Sequence, residues 1–418
     1  MTDSRPVIVL CPHFEPDTAP TGTVMTRIVA ELVELGHRVH VVTSLPWYRE
    51  HALEPGWSGR LVRTETKEWG SITRVYPFPG SDKSNLLRRA IGFGAYSVLA
   101  GMAGLRAGGW LRRSAAVIAM SPPLTLGLTG WIVSRLRRAP LIFNIQDVFP
   151  DAAVETGAIS NKWIIKAATW LERISYQVAD VVTVLSDDLR DNVVAKLPAQ
   201  GSDAGAQPKV RVIPNFVDTD SIQPANRLTP YREELRLGDG PIVLYAGNVG
   251  FSQSLEMVVA AARKLPSATF LINGDGAARE SLEQLAVGVE NVHFAGYLEP
   301  ARLPELLATG DIHVVPLKKG LGRVSVPSKT YSIMAAARPV VAAIDAGTAV
   351  PQILAASDGG IAVAPDEQNG FVAALSELLQ APDRAASMGK RGREWVVREA
   401  SPAAVGGAYH ELIANLES

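Results

Sequence analysis

The chain has 418 residues, of which 47% are hydrophobic and 20% are charged, as in an ordinary globular protein. This length exceeds what one hydrophobic core usually organises, and it predicts two domains of roughly 200 residues each. Lys and Arg (41) nearly balance Asp and Glu (42). No overall basic field therefore points to nucleic acid as a partner.

Cysteine and histidine usage argues against two further classes of protein. The only cysteine, Cys11, cannot form an internal disulfide framework and suits a reducing compartment. The seven histidines and this cysteine occur at no metal-ligand spacing, so we predict no metal site. The first apolar run is about six residues long, too short for the hydrophobic part of a signal peptide, and we expect a cytoplasmic protein.

The first elements in chain order predict a βαβ unit. VIVLCP is a strand without alternation, as expected when both faces of a sheet are covered. TVMTRIVAELVELG carries an apolar stripe at helical spacing and stops at Gly36, after which RVHVVTS resumes a strand. Parallel strands joined in this way cross over right-handed. Further buried strands are predicted at residues 115–120, 140–145 and 180–185.

Residues 86–113 are apolar but rich in glycine, and arginines interrupt them. Only 16 residues separate Arg89 from Arg106, which is too few to span a bilayer. Two interpretations remain open. The segment is either a core helix pair with basic ends, or a surface that rests on the inner face of a membrane.

A second α/β half begins after residues 198–210, which have the composition of a loop. Strands are predicted in PIVLYAGN, ATFLING, NVHFAGY, DIHVVPL and PVVAAI, with helices between them. We therefore predict two doubly wound, Rossmann-like domains, residues 1–200 and 201–401, facing a cleft. The last helix, within residues 402–418, is expected to pack back on the first domain, although the second remains open. Ligands of such sheets bind at the carboxyl ends of the strands.

Four strand-to-helix loops of the second half carry glycines, capping serines or basic residues. Small residues let the backbone approach a ligand, and free N–H groups at a helix start attract an anion. We expect Ser254 and Ser328 to cap helices, with Lys318, Lys319 and Arg323 adding positive charge. Each feature alone is more often structural, but together they predict a diphosphate site. The candidate residues of this site are Asn248, Gly250, Gln253, Gly274, Gly296, Tyr297, Leu298, Ser328 and Lys329.

Three loops of the first half are candidates for holding the reaction partner. They follow the strands that end near His13, Met120 and Asn144. A carboxylate at a strand end can act as a base or orient a substrate, although a capping or turn role is the more frequent alternative. The candidate residues for holding this partner, which the resemblance given below makes acceptor contacts, are His13, Asp147, Asp151 and Glu155.

Several well-known signatures do not occur in the expected places. No GxGxxG follows the first strand, and no Walker loop is present. Asp218-Thr219-Asp220 has the form of a metal-binding DxD, but it follows the interdomain segment instead of a strand, so we assign it no metal.

With these loops in place, the chain resembles a family-4 retaining glycosyltransferase of the GT-B fold. It is most similar to the bacterial enzymes that build cell-surface polysaccharides on lipid carriers. The resemblance covers nearly the whole chain and rests on several ordered motifs. These are HFEPDTAPTGTVMTRIVAELVELGHRVHVVTS, IQDVFPDAAVETGAI, VIPNFVDTDSIQP, LYAGNVGFSQSLE, INGDG, FAGYLEP and VPSKTYSIMAAARPVVAAID.

The resemblance implies a nucleotide-sugar donor, expected to be UDP-linked, with its base near residues 296–298. Its diphosphate would lie against the loop from Asn248 and the start of the Ser328 helix, with Gly22 in the opening loop also on the donor. The acceptor would be a glycan or a polyprenyl-diphosphate-linked sugar. No metal or other cofactor would be needed, because positioning and charge stabilisation carry the transfer.

The sequence departs from the family at several site positions. The family's glutamate pair falls on Val324 and Ser332, so Ser332 would make a weaker ribose contact. Asn248 and Gln253 replace the family's basic residues in the first loop. We therefore expect Lys329 and Arg323 to supply the positive charge at the diphosphate. The family often carries a histidine in the acceptor loop, and Asp147 stands roughly in its place as a candidate catalytic residue.

Two other functions remain open on the residues alone. A non-hydrolysing nucleotide-sugar epimerase would share the fold and the ligand, although its His and acidic residues are not seen in the second half. A nucleotide-sugar-binding scaffold without turnover would fit the missing glutamates. An epimerase would convert the donor without an acceptor, whereas a scaffold would bind it and leave it unchanged.

Overall fold

The computed structural model describes residues 5–49, 52–78, 86–146, 161–198, 209–321 and 329–417. The chain divides into two compact units. One comprises Met1–Asn215 with Val405–Ser418, and the other comprises Phe216–Ala404. Each unit contains a largely parallel sheet packed against helices, so the predicted α/β class with two Rossmann-like halves is confirmed.

The first unit contains an eight-stranded sheet of order β3-β4-β2-β1-β5-β6-β7-β8. Every neighbouring pair is parallel except β3 with β4. All residues of the strands around the centre are buried, which explains why their sequences do not alternate. The strands are β1 (Val7–Leu10), β2 (Val39–Ser44), β3 (Val62–Lys67), β4 (Gly70–Val75), β5 (Ala116–Ser121), β6 (Leu141–Ile145), β7 (Val181–Val184) and β8 (Val210–Val212).

Helices of the first unit cover this sheet and bury their apolar stripes against it. In the first helix, Met25, Ile28, Val29 and Leu32 are buried at the spacing that the sequence predicted. The described helices up to residue 215 are α1 (Pro20–Glu34), α2 (Leu86–Arg106), α3 (Thr125–Leu136), α4 (Lys162–Val178) and α5 (Asp187–Lys196).

The second unit contains a six-stranded parallel sheet of order β11-β10-β9-β12-β13-β14. This is the strand order of a dinucleotide-binding fold, in which the winding reverses between β9 and β12. The strands are β9 (Ile242–Ala246), β10 (Thr269–Asn273), β11 (Val292–Ala295), β12 (Ile312–Pro316), β13 (Val340–Ala343) and β14 (Gly360–Val363). Loops after β9 and β12 therefore lie side by side at the edge where such sheets bind ligands.

Eight α-helices are described in the second unit, and a short 3-10 turn, Pro300–Arg302, precedes one of them. They are α6 (Pro230–Glu234), α7 (Glu256–Lys264), α8 (Arg279–Leu285), α9 (Leu303–Thr309), α10 (Lys329–Ala335), α11 (Ala349–Ser357), α12 (Gln368–Gln380) and α13 (Pro382–Glu399). Aliphatic side chains of β9 and β10 pack with those of α7 and α12 in one buried cluster.

The last helix, α14 (Pro402–Glu417), returns to the first unit from Val405 onward. Its Tyr409 hydroxyl is buried and accepts a hydrogen bond from Asn144 Nδ2 at 2.7 Å. His410 Nδ1 lies 2.8 Å from His37 Nε2. The end of the chain is thus bonded to the central strands and to the turn after α1.

Two parts of the first unit differ from the sequence analysis. The antiparallel hairpin of β3 and β4 was not predicted, because β3 is an exposed edge strand rich in polar residues. The expected helix pair at 86–113 is wrong. It is one helix of 21 residues, α2, followed by a turn. Within the described parts of the chain, no helix combines the length and apolarity needed to cross a bilayer.

Candidate functional site

The loop after β9 is held to the loop after β10 by backbone hydrogen bonds. Gly247 N–H donates to Asn273 O and Val249 N–H to Asp275 O, both at 2.9 Å. Gly274 has a φ of 148°, and a Cβ there would lie 1.8 Å from Gly247 O. Only glycine permits this approach, so the predicted Gly274 has a demonstrable structural requirement.

Residues 248–253 form a compact turn at the strand end. Gly250 N–H donates to Gln253 Oε1 at 3.1 Å, so this predicted donor-site side chain organises its own loop. The Asn248 carbonyl accepts a hydrogen bond of 2.5 Å from Tyr245 Oη. The loop is therefore fixed from both sides before any ligand binds.

Lys329 is the first residue of α10 and reaches back to β9. Its Nζ donates to Tyr245 Oη at 3.1 Å and lies 4.4 Å from the centre of the Tyr245 ring. The same Nζ would lie 3.2 Å from a Cβ placed on Gly247. Lys329 and the loop after β9, which the sequence predicted to share a diphosphate site, are thus adjacent at the point where the sheet reverses its winding.

Burial lowers the pKa of the Lys329 ammonium from 10.5 to about 8. No ion pair of Lys329 is found among the residues that the structure describes. Burial also raises the pKa of the Tyr245 hydroxyl, so Tyr245 stays neutral and can donate to Asn248 while accepting from Lys329. A partly desolvated cation beside a glycine loop is an arrangement that suits an anionic ligand.

The turn at residues 296–298 is tied to its neighbours as a rigid edge. Asn273 Nδ2 donates to Gly296 O at 2.9 Å, and Tyr231 Oη donates to Asn273 Oδ1 at 2.6 Å. Tyr297 donates to Asp275 O at 3.0 Å and leaves 61% of its surface exposed. Leu298 packs against the apolar cluster below. An exposed aromatic ring on a fixed turn offers a flat surface for a base.

The remaining predicted residues of this unit have different outcomes. The Ser254 hydroxyl donates to Asp366 Oδ1 at 3.0 Å, and α7 begins only at Glu256, so the expected cap is wrong. Ser332 lies one turn after Lys329 in α10. Arg323, Val324 and Ser328 fall outside the described residues.

The Asp218-Thr219-Asp220 sequence forms a turn. Asp218 Oδ1 accepts from the backbone N–H groups of Asp220 and Ser221 at 3.1 and 3.0 Å. This carboxylate therefore organises its own loop. Over the described ranges, no three His, Cys, Asp or Glu side chains converge as metal ligands would.

In the first unit, His13 is held by several neighbours. Its Nδ1 lies 2.6 Å from Asp17 Oδ2, and its ring stacks on Trp47 with centroids 5.7 Å apart. Gly22 lies in α1 beneath it, where a Cβ would come within 2.9 Å of His13 Cβ. Within this unit, then, Gly22 supports the predicted acceptor histidine.

The other predicted acceptor residues, Asp147, Asp151 and Glu155, lie outside the described residues. The strand that leads to them ends in a polar network. Gln146 Nε2 donates to Asn144 Oδ1 at 2.8 Å, and Gln146 Oε1 accepts from Asn215 Nδ2 at 3.0 Å.

Sequence analysis missed Tyr245, Asp17 and Trp47 as individual members of these clusters. Tyr245 gave one signal: it is a hydroxyl-bearing residue in the otherwise aliphatic strand IVLYA. A buried tyrosine hydroxyl needs a hydrogen-bond partner, and the loop beyond the strand is where one is found.

Two Rossmann-like units, one with a cation beside a glycine loop at its switch point, define a doubly wound α/β protein with a candidate ligand site at that edge. The sequence also matches models of two known protein families. Residues 21–215 match the family described as "Glycosyl transferase 4-like domain" and residues 240–381 match "Glycosyl transferases group 1". The chain therefore belongs to the glycosyltransferases that these two models describe together. It is a glycosyltransferase, as its motifs predicted.

Known relatives and structures span almost the full chain. A glycosyl transferase assigned to colanic acid biosynthesis, WcaI of Escherichia coli K12, is 25% identical over 387 residues, covering 90% of this chain and 92% of its own. Sucrose-phosphate synthase from Thermosynechococcus elongatus superposes with a TM-score of 0.70 at 18% identity over 99% of each chain. Anabaena HepE in complex with UDP-glucose gives 0.62 at 15% identity, over 99% and 100%. The last two similarities support the GT-B fold.

Proposed function

We propose that this glycosyltransferase moves a hexosyl or N-acetylhexosaminyl group from a nucleotide-sugar, UDP-linked, to a glycan or polyprenyl-diphosphate-linked sugar. The transfer retains the anomeric configuration, needs no metal and serves polysaccharide biosynthesis of the cell envelope. The place of action is the cytoplasm or the inner face of the cell membrane. Support comes from WcaI, assigned to colanic acid biosynthesis, and from HepE, seen with UDP-glucose.

The observation that carries the donor assignment is the Lys329 ammonium beside Tyr245 and Gly247. It places a cation beside the glycine loop at the strand end, where a bound diphosphate would meet it. In retaining transfer without a metal, this ammonium would stabilise the charge that develops on the leaving diphosphate. Tyr297 would then lie on the side of the base and Ser332 on the side of the ribose.

On the acceptor side, His13 with Asp17 forms a polar pair at the carboxyl end of β1. Such a pair orients an acceptor hydroxyl, and the leaving phosphate oxygen takes its proton as the new bond forms. Asp147, Asp151 and Glu155 remain predicted acceptor contacts, and Arg323 and Ser328 remain predicted donor contacts.

A thermal-shift panel tests the donor assignment. UDP, GDP, ADP and dTDP are each added with EDTA and again with Mg²⁺. We expect UDP to raise Tm equally in both, because a ligand at about 100 times its Kd stabilises the folded state by about 2.7 kcal/mol. A shift that requires Mg²⁺ would contradict the metal-free assignment. If no nucleotide shifts Tm, the donor site itself is wrong.

Turnover assays distinguish a glycosyltransferase from the two alternatives, a scaffold and an epimerase. With UDP-sugars and membrane-extracted lipid-linked acceptors, the product anomer is read by proton NMR of the new linkage. Retained configuration supports the proposal, whereas inverted configuration refutes the mechanism. Binding of UDP without turnover on any acceptor would favour a scaffold, and conversion of the donor without acceptor would favour an epimerase.

A further inference from the structure

Three helices of the first unit form one continuous layer. Ser97 Oγ of α2 donates to Thr125 Oγ1 of α3 at 2.7 Å. On another side of α3, a Cβ at Gly127 would lie 2.6 Å from Ser175 Cβ of α4. Since α3 contacts α2 on one side and α4 on the other, the outward sides of the three helices form one surface. We name it the outer helical face.

Large apolar side chains stand in solvent across the outer helical face. On α4, Trp163 and Trp170 are seven residues apart, on one side of the helix, and are 79% and 60% exposed. On α2, Ile91 and Val98 share the same seven-residue spacing. Further exposed side chains of the face are Met102, Trp131, Ile132 and Leu136, and Trp110 is exposed in the turn that follows α2. Tryptophan is highly buried on average, so an exposed group of them marks a contact surface.

The segment that carries α2 and α3 has charges of one sign. Between Asp82 and Asp147 the sequence contains nine Lys and Arg and no Asp or Glu. Of these, Arg137 is buried and Arg135 pairs with Asp180 at 3.2 Å, so these two are not counted toward the face. Cations accompany the aromatic rings: the Arg106 guanidinium lies 5.2 Å from the Trp110 ring centre and Lys166 Nζ lies 6.0 Å from that of Trp163. Indole rings next to Lys and Arg are the combination that suits the headgroup level of an anionic bilayer.

We propose that the outer helical face docks this protein on an anionic lipid bilayer. The tryptophans enter the headgroup region and the surrounding Lys and Arg pair with lipid phosphates. A second copy of the chain is a poorer occupant, because a twofold contact would set this basic face against itself. The proposal extends the predicted surface at 86–113 to α3 and α4, and it stands whether or not the donor assignment holds.

Vesicle sedimentation of the full chain tests it. Vesicles of phosphatidylcholine alone are compared with equal mixtures of phosphatidylcholine and phosphatidylglycerol, at low and high salt. We expect binding to the anionic vesicles at low salt, with weaker binding at high salt and to the neutral vesicles. The double variant W163A/W170A should lower the partition coefficient at least tenfold.

Two charge-reversal variants distinguish binding through the outer helical face from an effect of the protein's overall charge. Lys166→Glu lies on the outer helical face, and Lys390→Glu makes the same change at an exposed position of α13. We expect Lys166→Glu to weaken binding severalfold and Lys390→Glu to leave it within twofold. Equal losses would overturn the proposal, as would full recovery of the wild type in the supernatant at low salt.

Two controls keep the result interpretable. The Tm of each variant and its shift with UDP should equal those of the wild type, because the altered side chains are exposed and belong to no donor contact. Sedimentation velocity without lipid reports self-association. If the wild type is a dimer that W163A/W170A dissociates, the face binds a second copy and the proposal is wrong.

Discussion

Lys329 is the residue on which the proposed donor chemistry depends most. Its half-buried ammonium contacts Tyr245, and a hydrogen bond from such a cation to phosphate contributes about 1.5–3 kcal/mol. We expect Lys329→Ala to lower kcat/KM for the nucleotide-sugar at least about tenfold, which corresponds to about 1.4 kcal/mol. Lys390→Ala, an exposed lysine of the same unit, is the matched control. Equal activity of Lys329→Ala and wild type would remove Lys329 from the site.

The lowered pKa of Lys329 predicts an alkaline limit of donor use. Below pH 8 the ammonium is charged, and above it the neutral amine no longer pairs with a diphosphate. We expect kcat/KM, which reports the free enzyme, to fall as pH rises from 7 to 9.5. Lys329→Arg should remove this fall, because arginine stays protonated throughout.

Tyr245→Phe provides a second variant for the same pH profile. It deletes the oxygen that accepts from the ammonium, so the pKa of Lys329 should fall further and the limit should move to lower pH. A flat wild-type profile to pH 9.5, or an unchanged profile in Lys329→Arg, would contradict this assignment.

At the scale of elements, the paired loops after β9 and β10 behave as one structural piece. Gly274 stands with φ at 148°, and a Cβ would overlap Gly247 O. We expect Gly274→Ala to destabilise the folded state by at least about 2 kcal/mol, through backbone strain and loss of the loop contact. Gly240→Ala is the control, since no atom lies within 4 Å of its Cβ position. Urea unfolding measures both, and equal midpoints would contradict the pairing.

Elements were predictable where burial acts on both faces of a strand. The apolar runs that became β1, β5, β6, β9 and β12 are examples. Both faces of their sheets are covered, so nearly every side chain of these strands is buried and the run is apolar throughout. The edge hairpin of β3 and β4 escaped prediction, since the polar side chains of β3 are mostly exposed and β4 pairs with β2, a strand outside the hairpin. The glycines between Arg89 and Arg106 suggested that the helix is interrupted. Instead α2 is continuous, and its Gly101 and Gly104 face side chains of α3.

At the scale of the whole chain, the end of the sequence stabilises its beginning. Tyr409 and Asn144 are 265 residues apart and share a buried hydrogen bond. Burial raises the pKa of the Tyr409 hydroxyl to about 12, so it stays protonated at neutral pH. We expect Tyr409→Phe to lower the free energy of unfolding by about 1–3 kcal/mol, because Asn144 keeps a buried donor without its partner.

Thermal unfolding of Tyr409→Phe and of Glu411→Gln, an exposed position of the same helix, checks this expectation. The glutamate variant should unfold with the wild type. If both variants match the wild type, α14 contributes little through this contact, and the C-terminal helix is held by its apolar side chains alone.

The sequence by itself determined the class of protein. Runs of apolar residues, helix periodicity and ordered glycine motifs are local, so two α/β halves and a glycosyltransferase family could be inferred from neighbouring residues. It also predicted that Lys329 and the glycine loops share one diphosphate site. Only the tertiary structure decided that Tyr245 joins them, because residues 84 positions apart meet through the strand order β9-β12 and not through any local pattern. The same holds for α14 and for the outer helical face, which exist only once distant helices pack on one sheet.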